Sequence, residues 1–330
     1  MKPGSEVKLN TPLRITEHNW PEGTTPLVSI LCFTYNHEKY IDECLQGFLM
    51  QETTFSVEII VVDDASVDCT AEIVRYYSEQ YPKLFKPYFH KTNQYSQGGM
   101  PDLFAFKRSL GSYIATCDGD DFWSLPSKLE RQVDIFEKSP DCILCGGRIL
   151  AVREGDPFPY NIEPSIEPEK LITSGPLEML KGQFIMRTPS RISRRWLWEK
   201  YTQKVEGSAA ACDWLFTLFC ISESKMMPEA FECLNEIVGT YREHSGGVWF
   251  TAEETAKMQS NLAVLMFALE KLDFVSGREV VEIALIHLAE EMNLTRDMNE
   301  TAYDLYISLE KKYFPKPLAA RIRERLFKHP

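Results

Sequence analysis

The 330-residue chain has no apolar run approaching the ~20 residues that a membrane-spanning helix requires. Its polar first 25 residues lack the apolar core of a secretory signal. Positive charge is in deficit: 36 Lys and Arg stand against 48 Asp and Glu, for a net charge of −12. A duplex nucleic-acid binder needs a basic footprint, and none dominates, so no nucleic-acid partner is expected. No internal repeat or low-complexity tract is present. The nine cysteines are odd in number, scattered and mostly set in apolar segments, as reduced core thiols are. Cys142-Ile143-Leu144-Cys145 has the spacing of half a zinc knuckle, but no second such pair or nearby His pair completes four ligands. Two buried thiols on a strand are expected there. The chain is expected in the cytoplasm.

What is present alternates. Leu27 to Phe33 is a short continuous apolar run ended by Thr34-Tyr35-Asn36, which reads as a buried parallel strand. His37 to Gln51 places Tyr40, Ile41, Cys44, Leu45 and Phe48 at helical spacing. Val57 to Val62 predicts a second buried strand, ending at Asp63-Asp64-Ala65-Ser66. Asp68 can cap the helix that carries Ile73, Val74, Tyr76 and Tyr77. Phe85 to His90 predicts a shorter strand, and Asp102 to Leu110 a helical stretch with Lys107 and Arg108 facing either a diphosphate or solvent. Tyr113 to Cys117 predicts a strand running straight into Asp118-Gly119-Asp120-Asp121. Strands alternating with helices predict an α/β fold with helices on both faces of the sheet. Ligands bind such sheets outside the carboxyl ends of the strands. Three polar clusters fall at those ends.

Asp118, Asp120 and Asp121 crowd three carboxylates into four positions, with Gly119 allowing a tight turn. Their mutual repulsion is relieved by a hard divalent cation shared with phosphate oxygens. The plain alternative is a solvated turn after a strand. Asp63-Asp64 at a neighbouring strand end shifts the balance toward a site.

Taken jointly, Val28-Ser29-Ile30 with Thr34-Tyr35-Asn36, Val61-Val62-Asp63-Asp64-Ala65-Ser66, and Gly111 to Ile114 with Asp118 to Asp121 resemble the family 2 glycosyltransferases of the GT-A fold. The resemblance covers roughly residues 26 to 250. It implies a Rossmann-like mixed sheet flanked by helices and a nucleotide-sugar donor, with UDP expected from family frequency. By resemblance Thr34, Tyr35 and Glu38 line the base and ribose pocket and Asp64 bonds the base. Asp118 lies by the ribose and metal, and Asp120 holds Mn2+ or Mg2+ on the diphosphate. Asp121 is open between a structural and a ligand role. A subgroup with Gly-Asp-Asp-[Tyr/Phe]-Trp matches Gly119 to Trp123, followed by Pro126, Lys128-Leu129 and Gln132-Val133. Trp123 is either core or a platform for a sugar ring. The subgroup's Tyr-Ser-x-Gly segment matches Tyr95 to Gly98, placing Tyr95 near the base.

In the second half, Asp213, before the apolar Trp214-Leu215-Phe216, resembles the family's catalytic base, which takes the acceptor hydroxyl's proton during inverting transfer. From the residues alone, a helix cap or dipole partner is the better explanation, and only the resemblance favours the base. Tyr241 to Trp249 resembles the segment that closes over the diphosphate, with Arg242 and His244 as its contacts. Thr188 matches a segment near the acceptor, which would be a glycan, a lipid-linked carrier or a protein. The expected organisation is a polar leader over 1–25, a glycosyltransferase domain over 26–250 and a helical region over 251–330. The domain divides into a nucleotide half, 26–150, and an acceptor half, 151–250. Arg153 to Pro176 reads as an irregular loop. At the C-terminus Lys311, Lys312, Lys316, Arg321, Arg323, Arg325 and Lys328 surround Leu318, Ile322, Leu326 and Phe327. This suits either an anionic inner membrane face or a solvated helix packed on the domain. Two rivals remain: a sugar nucleotidyltransferase, which would carry a Gly-rich basic loop after the first strand, and a nonenzymatic nucleotide-sugar module.

Overall fold

The computed structural model describes residues 8–163, 186–205, 213–225 and 227–253, with single positions as far as 272. The Pro/Glu-rich segment beyond 163, the apolar stripes of the C-terminal region as patterns, and the basic C-terminus lie outside the described residues. No helix among the described residues is long and apolar enough to cross a membrane.

In chain order the first strands are β1 (Leu13–Arg14), β2 (Val28–Thr34), β3 (Glu52–Thr53), β4 (Val57–Asp63), β5 (Tyr88–Phe89), β6 (Tyr113–Asp118) and β7 (Phe122–Trp123). β8 (Leu144–Arg153), β9 (Asn161–Glu163), β10 (Ile192–Arg194) and β11 (Phe231–Glu243) follow. The helices are α1 (Ile41–Leu49), α2 (Thr70–Gln80), α3 (Pro101–Phe106), α4 (Lys128–Lys138), α5 (Arg195–Val205), α6 (Asp213–Glu223) and α7 (Val248–Thr251). The main sheet has the order β5-β4-β2-β6-β10-β8-β11-β7, with β9 on β8. β5, β4, β2 and β6 run parallel, and β10 is antiparallel to both β6 and β8. The mixed sheet arises where β10 joins the parallel strands β5, β4, β2 and β6 to the parallel pair β8 and β11.

The continuous apolar runs are explained by burial on both faces. Ile30, Cys32, Ile59 and Val61 pack with Ile41, Leu45 and Phe48 of α1, Val74 of α2, and Leu129, Val133 and Phe136 of α4. The alternate residues Leu31, Ile60, Val62 and Ile114 pack with Phe106 of α3, Trp198 and Tyr201 of α5, and Phe216 and Phe219 of α6. A period of two along each strand feeds two separate cores.

The leader is partly built into the fold. β1 pairs antiparallel with β3, Ile15 is buried, and the ring of His18 bonds the carbonyls of Leu13 and Thr53. A two-residue strand carries too little pattern to be read in advance. Cys142 and Cys145 are buried thiols at the start of β8, as expected. Trp123 is core: it is 1% exposed, lies edge-on to Phe48 and carries the Lys128 ammonium 4.0 Å from its ring centre. A sugar cannot reach it, so the platform role is withdrawn.

Lys128 is itself unusual. It is fully buried, with Nζ donating to Gln132 Oε1 at 2.9 Å, while Gln132 Nε2 donates to the carbonyls of Gly146 and Ser190. Burial pushes its pKa down to about 7. An unfolded lysine titrates near 10.4, so between those values the unfolded chain binds more protons and stability rises with pH. Relative to Lys128→Met, the wild type should therefore gain roughly 2 kcal/mol of unfolding free energy from about pH 7.5 to 9. Denaturant melts of both proteins across that range check it, and parallel pH curves would refute it.

Candidate active site

The registers bring the polar strand ends to one edge. Thr34 is opposite Asp63, and Phe33 is opposite Asp118. The loops after β2 and β4 are fastened to each other. Asn36, at φ 55°, donates its N–H to Ser66 Oγ and accepts Val67 N–H on its side chain. His37 N–H bonds Thr70 Oγ1 at 2.8 Å, and Glu38 N–H bonds Asp68 Oδ2. The Glu38 carboxylate accepts Cys69 N–H at 3.0 Å, so this side chain, expected in the base and ribose pocket, is engaged as a loop fastener. Tyr35 stands exposed beside it.

Asp64 is buried and accepts two main-chain N–H bonds, from Gln94 at 2.7 Å and Tyr95 at 2.9 Å. The two expected nucleotide residues Asp64 and Tyr95 are thus adjacent, with Asp64 fixing the segment that displays the Tyr95 ring. Arg108 stacks on Phe104 and Tyr88 at 3.6 and 4.5 Å.

The Asp118-Gly119-Asp120-Asp121 turn divides its three carboxylates among different tasks. Asp121 is buried and accepts the Arg242 N–H on Oδ1 at 2.9 Å, a structural bond. Arg242 directs Nη1 to the Asp120 carbonyl at 2.6 Å, pairs with Glu43 and lies over Phe122. It braces the turn through these contacts. Gly119 admits no side chain, because a Cβ there would stand 2.7 Å from Thr34 Oγ1 and 3.0 Å from His37 Nδ1. Asp120 is partly exposed, with Oδ2 3.0 Å from His244 Nε2 and 3.6 Å from His37 Nε2. His244 is buried and packs on Tyr40 at 4.6 Å.

The electrostatics record a shortage of positive charge. Desolvation, reinforced by Asp120, holds the Asp118 and Asp121 carboxyls well above the usual range. Desolvation also opposes the Asp120 anion, but the His244 hydrogen bond and the nearby His37 outweigh it and set its pKa below the ordinary value. Burial lowers the pKa of His37. A divalent cation fits this neighbourhood: it supplies the missing charge, and Asp120, His37 and His244 offer donor atoms within 4.8 Å of one another.

Asp213 begins α6 and joins the same cluster. Its Oδ1 accepts Thr188 Oγ1 at 2.6 Å and lies 3.1 Å from Arg191 Nη2. The Asp213 charge also helps to push the Asp118 carboxyl up, which places the two acids near each other. Arg191 is 6% exposed, bonds Thr116 Oγ1 at 3.2 Å and packs on Phe216 at 4.8 Å. Its charge also favours the ionised forms of Asp102 and Asp118. Sequence reading missed Arg191, because nothing separates it from Arg187, Arg194 and Arg195 in the same run. It also gave His37 no role, although His37 sits inside the polar cluster after β2.

An open α/β sheet with acids converging at the carboxyl ends of its parallel strands defines a nucleotide-binding class of fold. The chain belongs to glycosyl transferase family 2, whose pattern it matches over residues 29–199. It is 31% identical over 227 residues to an uncharacterised protein of Mycobacterium tuberculosis, covering 68% of this chain and 61% of that one. It is 29% identical to the uncharacterised glycosyltransferase EpsJ of Bacillus subtilis, covering 66% and 62%. The chain thus spans about three fifths of the length of these curated relatives. Its fold resembles that of S. aureus TarS 1–349 in complex with UDP-GlcNAc, with a TM-score of 0.58 at 19% identity over 82% of this chain and 73% of that one. It also resembles the mannosyltransferase PcManGT of Pyrobaculum calidifontis with GDP-Man and Mn2+, with a TM-score of 0.50 at 16% identity over 96% and 93%.

Proposed function

We propose that this protein transfers a glycosyl group from a nucleotide-diphosphate sugar, with UDP as the nucleotide, to an acceptor hydroxyl with inversion at the anomeric carbon. The observation that carries the reading is Asp213, held by Thr188 and Arg191 close enough to the acidic turn to push the Asp118 carboxyl up. This puts a carboxylate whose Oδ2 has no partner among the described residues beside the acidic turn where a diphosphate and its cation would sit. Thr34, Tyr35, Tyr95 and Asp64 form the nucleoside end, Asp64 acting chiefly through the segment it fastens. Asp120 holds Mn2+ or Mg2+, which when bound offsets charge on the departing diphosphate. Asp213 takes the acceptor proton at Oδ2 while Thr188 and Arg191 hold Oδ1. The acceptor is a glycan, a lipid-linked carrier or a protein, as in surface polysaccharide synthesis. Gly119 to Trp123 keeps the chain with the Gly-Asp-Asp-[Tyr/Phe]-Trp subgroup. Residues 26–150 act as the nucleotide half and 151–250 as the acceptor half, with 251–330 as a helical extension.

A nucleotidyltransferase would usually carry a Gly-rich, basic loop after β2, and here that segment is neither and is cross-linked to the next loop and the start of α2 by five hydrogen bonds. A thermal-shift panel of nucleotide sugars with Mn2+ tests the proposal. A UDP-sugar at a hundredfold excess over its Kd should add about 2.7 kcal/mol and raise the melting midpoint. Slow release of UDP that stops on chelation should accompany it. No shift with any nucleotide sugar would refute the function.

A further inference from the structure

Three side chains from distant parts of the chain meet at the acidic turn. His37 follows β2, Asp120 follows β6 and His244 follows β11. We propose that His37 and His244 join Asp120 as ligands of the cation, and that this set of two imidazoles and one carboxylate selects a first-row transition ion such as Mn2+ or Co2+ over Mg2+. This rests on the reading of Asp120 as the cation-holding carboxylate.

The spacing fits one ion. Donors about 2.0–2.2 Å from a shared ion stand roughly 3 Å apart at right angles and about 4.3 Å apart across it. Asp120 Oδ2 lies 3.0 Å from His244 Nε2 and 3.6 Å from His37 Nε2, and the three donors all lie within 4.8 Å of one another. Tenths of an ångström close the set, and the remaining positions of an octahedron are left for phosphate oxygens and water. Imidazole nitrogen suits transition ions, whereas Mg2+ favours an all-oxygen shell.

An ordinary hydrogen-bonded cluster would not leave His37 as it is. Its Nε2 is beyond hydrogen-bond reach of Asp120, and its Nδ1 is buried without a partner. The backbone that carries the ring is nonetheless held in place, through the bond of the His37 main-chain N–H to Thr70 Oγ1 and through the fastened Asn36 before it. Thr34 Oγ1 is likewise buried and unpartnered, and it and His37 Nδ1 flank the same point beside Gly119. A metal-ligating histidine usually donates its other ring N–H to a nearby acceptor. Thr34 Oγ1, which does not bond the ring in this structure, is the unpartnered acceptor on that side, and a small shift on ligation would let it take the Nδ1 proton in the tautomer that leaves the His37 Nε2 lone pair for the ion.

His244 must change tautomer as well. Gly246 N–H donates to its Nδ1 at 3.2 Å, which puts the ring proton on Nε2 toward Asp120. Ligation moves that proton to Nδ1 and requires Gly246 N–H to swing away. Two successive glycines, Gly246 and Gly247, allow that movement.

The test uses the full chain with Mn2+, with and without UDP or GDP, and pulsed EPR of the bound ion. The expected result is nitrogen modulation from two imidazoles, confirmed by 15N-histidine labelling of the wild type, which needs no variant. His37→Asn and His244→Asn should each remove one coupling. His37→Asn should also weaken Mn2+ binding by about tenfold or more, and Mg2+ binding measured by competition by much less. A single imidazole in the wild type, unchanged in His37→Asn, overturns the inference and leaves Asp120 as the cation's carboxylate. Failure to bind Mn2+ with either nucleotide overturns the inference together with the metal-dependent reading beneath it.

Discussion

Asp120→Asn is expected to lower sugar transfer by at least about 10³-fold while leaving the fold intact. The carboxylate is the point on which the turn converges: both imidazoles face its Oδ2, and its backbone carbonyl is braced by Arg242. Asparagine keeps the shape and can still accept the His244 hydrogen bond through its carbonyl oxygen. It loses the formal charge that draws a divalent cation onto the diphosphate, where a pre-placed charge stabilises the departing group. Without metal, Asp118 and Asp121 are both disfavoured as anions by Asp120, so removing its charge relieves them. That relief is set against the loss of the Asp120 anion's own interactions with His244 and His37, so the metal-free melting midpoint should stay near that of the wild type, while its rise on adding Mn2+ disappears. Transfer assays and melts on the same preparations check both halves. A variant that keeps a tenth of wild-type turnover with Mn2+ would remove Asp120 from the mechanism.

The parallel half of the sheet was legible because its strands are buried on both faces and therefore spell continuous apolar runs, as Val57 to Val62 does. The acids at the strand ends were legible for the complementary reason: Asp63-Asp64 and Asp118 to Asp121 interrupt those runs where a buried strand has no use for charge. What each polar side chain does once there depends on contacts far away in sequence. Nothing in a line of text shows that Arg242 bonds the Asp120 carbonyl and pairs with Glu43. Glu38 is claimed by the Cys69 N–H, and Trp123 by Phe48 and Lys128. The β1–β3 pair was invisible because two residues of edge strand carry no period.

Asp213→Asn should reduce transfer by about 10²- to 10⁴-fold, the range for loss of a general base, with donor and Mn2+ affinities unchanged. The expectation follows from how the side chain is held. Thr188 and Arg191 both bind Oδ1, and no partner is recorded for Oδ2 among the described residues. A carboxylate gripped at one oxygen keeps its orientation and presents the other to an incoming hydroxyl. A helix cap would spend its oxygens on the first N–H groups of its own helix, whereas this one is spent on two side chains from the segment before β10. The asparagine variant keeps an acceptor for Thr188 and is close to isosteric, so the cluster should survive while proton removal fails. Release of UDP to water depends less on that base than transfer to an acceptor does, so the ratio of transfer to hydrolysis should collapse in Asp213→Asn and stay near the wild-type value in Asp120→Asn, where both reactions fall. Equal losses of transfer and hydrolysis in Asp213→Asn would instead mark Asp213 as part of the donor site, with Thr188 and Arg191 supporting a wall of the diphosphate pocket.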